Sequence, residues 1–328
     1  MFRFRSRAIG MLVIGVVACA VLLLWQRATR LPPRAPVFGV TFSTLHAKEY
    51  GLDWKQAYIA MLDDLGVRKL RLPVYWNAVE AMKGTYDWSE VDWMLDEAAK
   101  RNAEVILVIG RKTPRWPECH VPTWAASLSE DAQNEQVLGF LAAEIAHFKS
   151  FPAVKTWQVE NEPLFHFGKC PEPDPAFLKR EIALVRAADT RPVMVTESGE
   201  MSTWTRAGAL ADVLGISLYR LVWNGEFGAL YWPVTPQYYA DRMHLIRPII
   251  KHVVVSELQA EPWFRKPVEE TPIDEQLAQM NPARLRENVR FASSVGASDI
   301  YLWGVEWWYW LTLHGHPELW ETAKTFFK

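Results

Sequence analysis

Trp157-Gln158-Val159-Glu160-Asn161-Glu162-Pro163 follows directly on Val154-Lys155-Thr156. Val154 to Val159 is rich in β-branched and aromatic residues, the composition of a strand, although Lys155 and Gln158 interrupt it. Pro163 ends the run because proline cannot donate to a sheet ladder. The strand thus finishes on a carboxamide, Asn161, beside a carboxyl group, Glu162. In a closed parallel barrel the C-terminal ends of strands are where chemistry sits. In other folds the same tripeptide is a helix cap or a surface turn, so the rest of the chain must decide.

On either side the sequence alternates strand with helix, which predicts a parallel sheet. Phe38 to Phe42 reads as a first strand, followed by a helix over Trp54 to Leu65 capped by Asp53 and closed by Gly66. Lys69 to Leu72 is a second strand. Asp87-Trp88-Ser89-Glu90 has the spacing of a capping box, with a helix to Arg101. Glu104 to Ile109 is a third strand, with a helix over Asp131 to Phe148. After the fourth strand, Asp174 caps a helix over Pro175 to Ala188. Strands at Pro192 to Thr196, Val213 to Leu218, Val253 to Ser256 and Ile300 to Trp303 complete eight. Helices follow them near Thr203 to Ala211, Pro236 to Ile250, Ile273 to Met280 with Pro282 to Val295, and Pro317 to Phe327. Eight such pairs in one domain predict an α/β fold, a (β/α)8 TIM barrel. The rival, a doubly wound open sheet, lacks its glycine-rich phosphate loop after strand one.

The barrel is expected over residues 37–328, about 290 residues, enough to bury a large core. Ahead of it, Ala8 to Trp25 runs without a charge or proline behind Arg3, Arg5 and Arg7, long enough to cross a bilayer. Small residues occur at Ala18-Cys19-Ala20, but Val21 to Trp25 stays apolar beyond them. The expectation is therefore an uncleaved transmembrane signal anchor over residues 1–27, with a cleaved signal peptide as the alternative. Leu31-Pro32-Pro33 and Pro36 stiffen a proline-rich linker over residues 28–36. The barrel is expected outside the cytoplasm, attached to the membrane and monomeric. A formal net charge of −2 gives nucleic acid no electrostatic footprint. The 17 tryptophans exceed what a core needs and imply flat apolar surfaces for a ligand.

On the barrel reading the strand ends bring together Arg71 (strand two), Asn161 and Glu162 (four), Glu197 (five), Tyr219 (six), Glu257 (seven) and Trp303 (eight). The eight histidines are scattered without metal-ligand spacing. No Gly-x-Ser-x-Gly elbow is present. Paired carboxyl groups are the chemistry of glycoside cleavage: one donates a proton to the leaving oxygen while the other attacks the anomeric carbon. That chemistry needs no cofactor.

At these residues the chain resembles the large clan of retaining (β/α)8 glycoside hydrolases, with Asn161-Glu162-Pro163 ending strand four and Glu257 ending strand seven. Arg71 in Leu70-Arg71-Leu72-Pro73 is similar to the strand-two arginine of the cellulase-like family five. Trp76, Glu80, Gly84, Tyr86 and Asp87 resemble a segment after strand two in related barrels. The resemblance implies Glu162 as acid/base and Glu257 as nucleophile. It also implies Asn161 on the sugar's 2-hydroxyl, Arg71 and Tyr219 holding the nucleophile, and Trp303 as an apolar floor. Two departures stand out. Ser217 occupies a strand-six position where many members carry histidine, and strand three ends in Gly110-Arg111 without the histidine often found there. The substrate implied is a polysaccharide or oligosaccharide. A carbohydrate-binding barrel without turnover and a transglycosylase acting on surface polysaccharide remain the alternatives.

Other residues admit two readings. Glu160 shares Glu162's face on an unbroken strand and reads as its supporting partner. Glu261 competes with Glu257 from the following loop. Glu197 either binds sugar or pairs with Arg71. Trp76, Trp116, Trp307 and Trp308 either stack on sugar or pack the core. Cys19 lies in the apolar run as a small buried hydrophobe. Cys119 and Cys170 fall in the loops after strands three and four, neighbours in a barrel. In an oxidising compartment they are expected to bond, with Cα atoms about 4.4–6.8 Å apart; two free thiols is the alternative.

Overall fold

In the computed structural model, which describes residues 35–224 and 228–328, eight parallel strands close into a barrel in chain order. They are β1 (Val37–Thr41), β2 (Lys69–Pro73), β3 (Glu104–Ile109), β4 (Val154–Val159), β5 (Val193–Ser198), β6 (Val213–Leu218), β7 (His252–Gln259) and β8 (Asp299–Trp303). β1 closes the barrel by pairing with β8 through five registered residues, Val37 with Asp299 to Thr41 with Trp303. Among the described residues no helix is long and apolar enough to cross a membrane. The expected membrane span, Ala8 to Trp25, lies outside the described residues, as do Cys19 and most of the expected linker.

The period of two in each strand sorts side chains between an inner stack and an outer shell. Ile106, Met194, Val254 and Tyr301 fill one inner layer. The alternate residues Val105, Leu107, Val193, Val195 and Val255 join the large core beneath the helices. Space inside is tight. A Cβ at Gly39 would lie 2.6 Å from the Lys69 carbonyl oxygen, and one at Gly215 2.4 Å from the Met194 methyl. Above the apolar layer sits a polar one, with Thr41, Arg71, Gln158, Thr196 and Glu257 all buried.

β7 departs from the simple period. Ile216 pairs with Val255 but Ser217 pairs with Glu257, so Ser256 is an extra residue on this edge. The other edge shifts in the same place, between Ile300 with Val255 and Leu302 with Leu258. Without this bulge Glu257 would follow Val255 outward, towards the helices. With it, the glutamate turns into the barrel, a known use of bulges beside active sites. The strand runs to Gln259, three residues beyond the expected end at Ser256, so Glu257 lies within the strand, paired with Ser217 of β6.

Several elements were not anticipated, among them the short helices Thr44–Glu49 and Trp76–Val79. A hairpin (Leu221–Asn224 with Gly228–Tyr231) follows β6. The aromatic run after Trp303 forms a helix, Val305–Leu313, expected only as loop and core packing.

Candidate active site

Arg71 is the centre of the polar layer and is wholly buried. β2 points it inward between Leu70 and Leu72, and neighbouring strands supply its acceptors. Its Nε donates to Gln158 Oε1 (2.7 Å), Nη2 to Asn161 Oδ1 (2.7 Å) and Nη1 to Glu257 Oε1 (2.9 Å). The other oxygen of Glu257 accepts from the Tyr219 hydroxyl at 3.0 Å. The glutamate therefore meets two donors, one of them permanently charged.

The end of β4 is clamped so that Glu160 and Glu162 diverge. Both have positive φ, 58° and 44°, which breaks the alternation that would align them. The Glu160 carboxylate turns back onto the end of β3 and accepts the backbone N–H groups of Arg111 (2.8 Å) and Lys112 (2.5 Å). Gly110 is required beneath it, since a Cβ there would lie 2.6 Å from Glu160 Oε1. The Glu162 N–H donates to Thr196 Oγ1 (2.8 Å), and Lys112 Nζ donates to the Glu162 carbonyl (3.0 Å). The Glu162 carboxyl is left to accept from Ser217 Oγ at 2.7 Å. Ser217 of β6 thus supplies the donor to this carboxyl.

The two carboxyl groups have different surroundings. Glu162 keeps part of its surface open but is crowded by protein on most sides. Burial and then the charge of Glu257 push its carboxyl up to about 7. Glu261, the rival of Glu257, is saturated with donors. Arg115 grips both its oxygens, Trp303 Nε1 donates to it at 2.7 Å, and His46 Nε2 stands 3.8 Å away. Burial is the largest single influence and works to raise its pKa, but Arg115 and His46 together outweigh it and hold the carboxyl down at about 2.

Three expectations fail for reasons of geometry. Glu197 neither pairs with Arg71 nor faces the barrel interior. On β5 its neighbour Thr196 points in, so Glu197 points out and accepts the N–H groups of Trp204 (3.3 Å) and Ala207 (3.1 Å). Trp76 is fully buried, stacked on Phe140 at 5.8 Å, with its indole N–H on Glu80 Oε2 (2.7 Å). Glu80 also accepts the Gly84 N–H at 2.7 Å, so the Trp76–Glu80–Gly84 segment is a packing unit. Trp308 is fully buried too, donating to the Ala260 carbonyl (2.8 Å). Trp303 ends β8 beneath Arg115, whose guanidinium lies 4.1 Å from its ring centre. Of the tryptophans put forward as sugar platforms, Trp116 stays open, 58% exposed.

Cys119 and Cys170 are bonded, with Cα atoms 5.3 Å apart. The bond joins the loops after β3 and β4. Next to it sits a residue that the sequence reading passed over. Glu118 is buried and accepts Asn161 Nδ2 at 3.0 Å. Burial and then the charge of Glu257 push its carboxyl up to about 8. Gln158, Thr196 and Lys112 were also missed. The period of two could have found Gln158, because it precedes Glu160 on the inner face. A loop residue such as Glu118 carries no periodic signal. Among the described residues no group of three or more His, Cys, Asp or Glu is placed to hold a metal ion.

Neither a protein-family profile nor a curated protein matches the sequence. Solved structures do match in fold. GH5_18 from Streptomyces cattleya, solved in complex with GlcNAc, superposes with a TM-score of 0.55 at 16% identity, covering 83% of this chain and 71% of that one. The β-galactosidase from Bacillus circulans sp. alkalophilus gives 0.60 at 11% identity over 89% of this chain and 55% of that one. The exo-β-1,4-mannosidase Op5Man5 from Opitutaceae bacterium strain TAV5 gives 0.56 at 16% identity, over 82% of this chain and 51% of that one. The chain thus spans about half the length of the latter two. These likenesses establish the (β/α)8 fold, and the neighbours that share it are glycosidases by name.

Proposed function

We propose that this chain is a retaining β-glycosidase acting by double displacement, with Glu162 as acid/base and Glu257 as nucleophile. The observation that carries the reading is the contrast between these two carboxyl groups in one barrel mouth. Glu162 is placed where its proton is retained towards neutral pH, as a proton donor requires. Glu257 is turned inward by a bulge and fixed by a guanidinium and a phenol.

In the first step the Glu162 carboxylic acid protonates the glycosidic oxygen while a Glu257 oxygen attacks the anomeric carbon. The C–O bond to the leaving group breaks and a glycosyl ester on Glu257 forms. In the second step Glu162, now a carboxylate, takes a proton from water. The water oxygen attacks the same carbon and the ester bond to Glu257 breaks, so two inversions give net retention. Arg71 and Tyr219 orient the attacking carboxylate, and the second N–H of Asn161 is assigned to the sugar's 2-hydroxyl, a contact that strengthens in the transition state.

The names of the structural neighbours supply the substrate panel: aryl β-galactosides, β-mannosides, β-glucosides and β-N-acetylglucosaminides, then β-glucans, mannans, xylans and galactans. On a glycoside that the wild type cleaves, Glu257→Ala should abolish turnover. Azide should restore it with an inverted glycosyl azide as product. Glu162→Ala with azide should instead give the retained azide. Full activity in Glu257→Ala would overturn the assignment. The proposal places the barrel outside the cytoplasm, held to the membrane by residues 1–27, and the Cys119–Cys170 bond supports an oxidising compartment. Fractionation should find the full chain with membranes and a chain lacking residues 1–34 in the soluble fraction; a soluble full chain would refute the anchor.

A further inference from the structure

The β3 loop is locked from several sides around Glu118. Cys119 is tied to Cys170, Lys169 N–H donates to the Pro117 carbonyl (3.0 Å), and Thr113 N–H donates to the Glu118 carbonyl (2.9 Å). Gly168 packs so closely that a Cβ there would lie 2.6 Å from Glu118 Cβ. Glu118 itself holds φ at 72°, in the left-handed region a glutamate rarely adopts. Four of the described non-glycine residues with positive φ stand in this neighbourhood: Arg115, Glu118, Glu160 and Glu162. Backbone held against its own preference marks places where surroundings fix a side chain. What is fixed here is a carboxyl group against the Asn161 amide.

An asparagine amide can face either way, since its oxygen and nitrogen differ little in shape. Here each end of the amide has its own partner. Arg71 offers only donors, so it demands the oxygen, which accepts Nη2 at 2.7 Å. The Glu118 carboxyl oxygen Oε2 accepts the nitrogen at 3.0 Å. One Asn161 N–H is thereby used, and the second is aimed by the first. We propose that Glu118 is a positioning residue of the active site, fixing the Asn161 amide so that its remaining N–H meets the sugar substituent next to the anomeric carbon. This rests on the glycosidase reading for the sugar, but the Glu118–Asn161 coupling does not. The charged groups that face Glu118 are Glu257 of β7, Glu162 beyond β4 and Lys112 beyond β3.

The test has two arms on the full-length protein. In the first, protein labelled with ¹⁵N-asparagine gives a side-chain amide signal for Asn161, identified by its loss in Asn161→Ala. The signal should move with pH, with a midpoint well above the ordinary carboxyl range. Glu118→Gln, which still offers an oxygen to the amide, should keep the signal's position but lose the titration. Glu118→Ala should shift it at every pH. A signal indifferent to Glu118→Ala would overturn the proposal. In the second arm, Glu118→Ala should slow an aryl β-glycoside in kcat/KM by roughly 10- to 100-fold, the range for a misplaced hydrogen bond to the transition state. It should slow the 2-deoxy counterpart by less than about 3-fold, and Glu118→Gln should recover most of the loss. Equal losses on both substrates would reduce Glu118 to a structural residue and overturn the proposal. If the wild type turns over no glycoside, the glycosidase reading fails, and with it the sugar contact. The amide signal still decides whether Glu118 positions Asn161.

Discussion

Two glutamates near the end of β7 each meet a buried arginine, and they are not equivalent. Glu257 accepts Arg71 on one oxygen and the Tyr219 hydroxyl on the other. Glu261 accepts Arg115 on both oxygens and the Trp303 indole on one of them, and Arg115 continues to Glu306 at 3.1 Å. Arg71 and Trp303's partner Arg115 thus anchor different tasks. Arg115 and Trp303, which donate to Glu261, cannot accept, so neither tolerates an N–H in place of a carboxylate oxygen. Tyr219 can either donate or accept, which leaves the Glu257 oxygen beside it adaptable. A saturated ion pair reads as structure, and a carboxylate with an adaptable partner reads as chemistry.

Replacement by glutamine separates the two. Glu257→Gln still offers Arg71 an oxygen, and its amide N–H₂ can donate to Tyr219 once that hydroxyl rotates. The variant should fold with a stability close to the wild type while losing at least about 10⁴-fold in kcat/KM, the scale for removing a nucleophile. At Glu261 the new N–H₂ would face Arg115 or Trp303, both donors. Glu261→Gln should therefore cost about 3–5 kcal/mol in urea unfolding while keeping most activity per folded molecule. Reversed outcomes, an inactive but stable Glu261→Gln and an active but unstable Glu257→Gln, would break the comparison. The sign with pH follows. Glu261 is held at about 2, below its ordinary value, so its contribution is present above the ordinary carboxyl pKa and is lost as pH falls towards 2. Acid unfolding of Glu261→Gln should lack that part of the slope.

The disulfide sharpens the same contrast, because Arg115 rides on the loop that it ties, whereas Arg71 is held within β2. Replacing Cys119 and Cys170 together by serine should cost about 2–4 kcal/mol, and thiol counting on the unfolded, unreduced protein should find neither of them free in the wild type. The smallest effect concerns Glu162. Its pKa is raised to about 7, so its burial costs little below the ordinary carboxyl range, costs more as pH rises from there to about 7, and costs its full amount above that. Glu162→Gln should stabilise the protein at pH 8 by roughly 1–2 kcal/mol, with the gain gone near pH 4. Wild-type activity should fall as pH rises through about 7, when the acid loses its proton. Glu257→Gln should lower the Glu162 titration seen by ¹³C-glutamate spectra, and Glu261→Gln should leave it in place.

Much of this was legible because barrels write their plan in periods. The eight strands announced themselves by β-branched runs between caps and prolines, and the ends of β2 and β6 placed Arg71 and Tyr219 on the inner face, whereas Asn161 comes to Arg71 only past the positive φ of Glu160. Where the reading failed, the period had been ignored or broken. Glu197 was grouped with the site because it ends a strand, although Thr196 beside it takes the inward position. Glu257 reaches the interior only through the extra residue Ser256, which no alternation foretells. Trp76 and Trp308 show that an aromatic next to a strand end is as readily a wedge between helices as a platform for sugar. Glu118 was invisible because its place is set by a disulfide and a left-handed backbone, both properties of the folded loop.

The central claim is that Glu257 attacks the anomeric carbon. Incubating the full-length protein with activated 2-deoxy-2-fluoro β-glycosides of gluco, manno and galacto configuration, followed by peptide mass analysis, tests it directly. The account predicts one covalent sugar per protein, carried as an ester on Glu257 and absent in Glu257→Gln. A sugar found on Glu261 or Glu118 would contradict it, as would an inverted first product from the wild type.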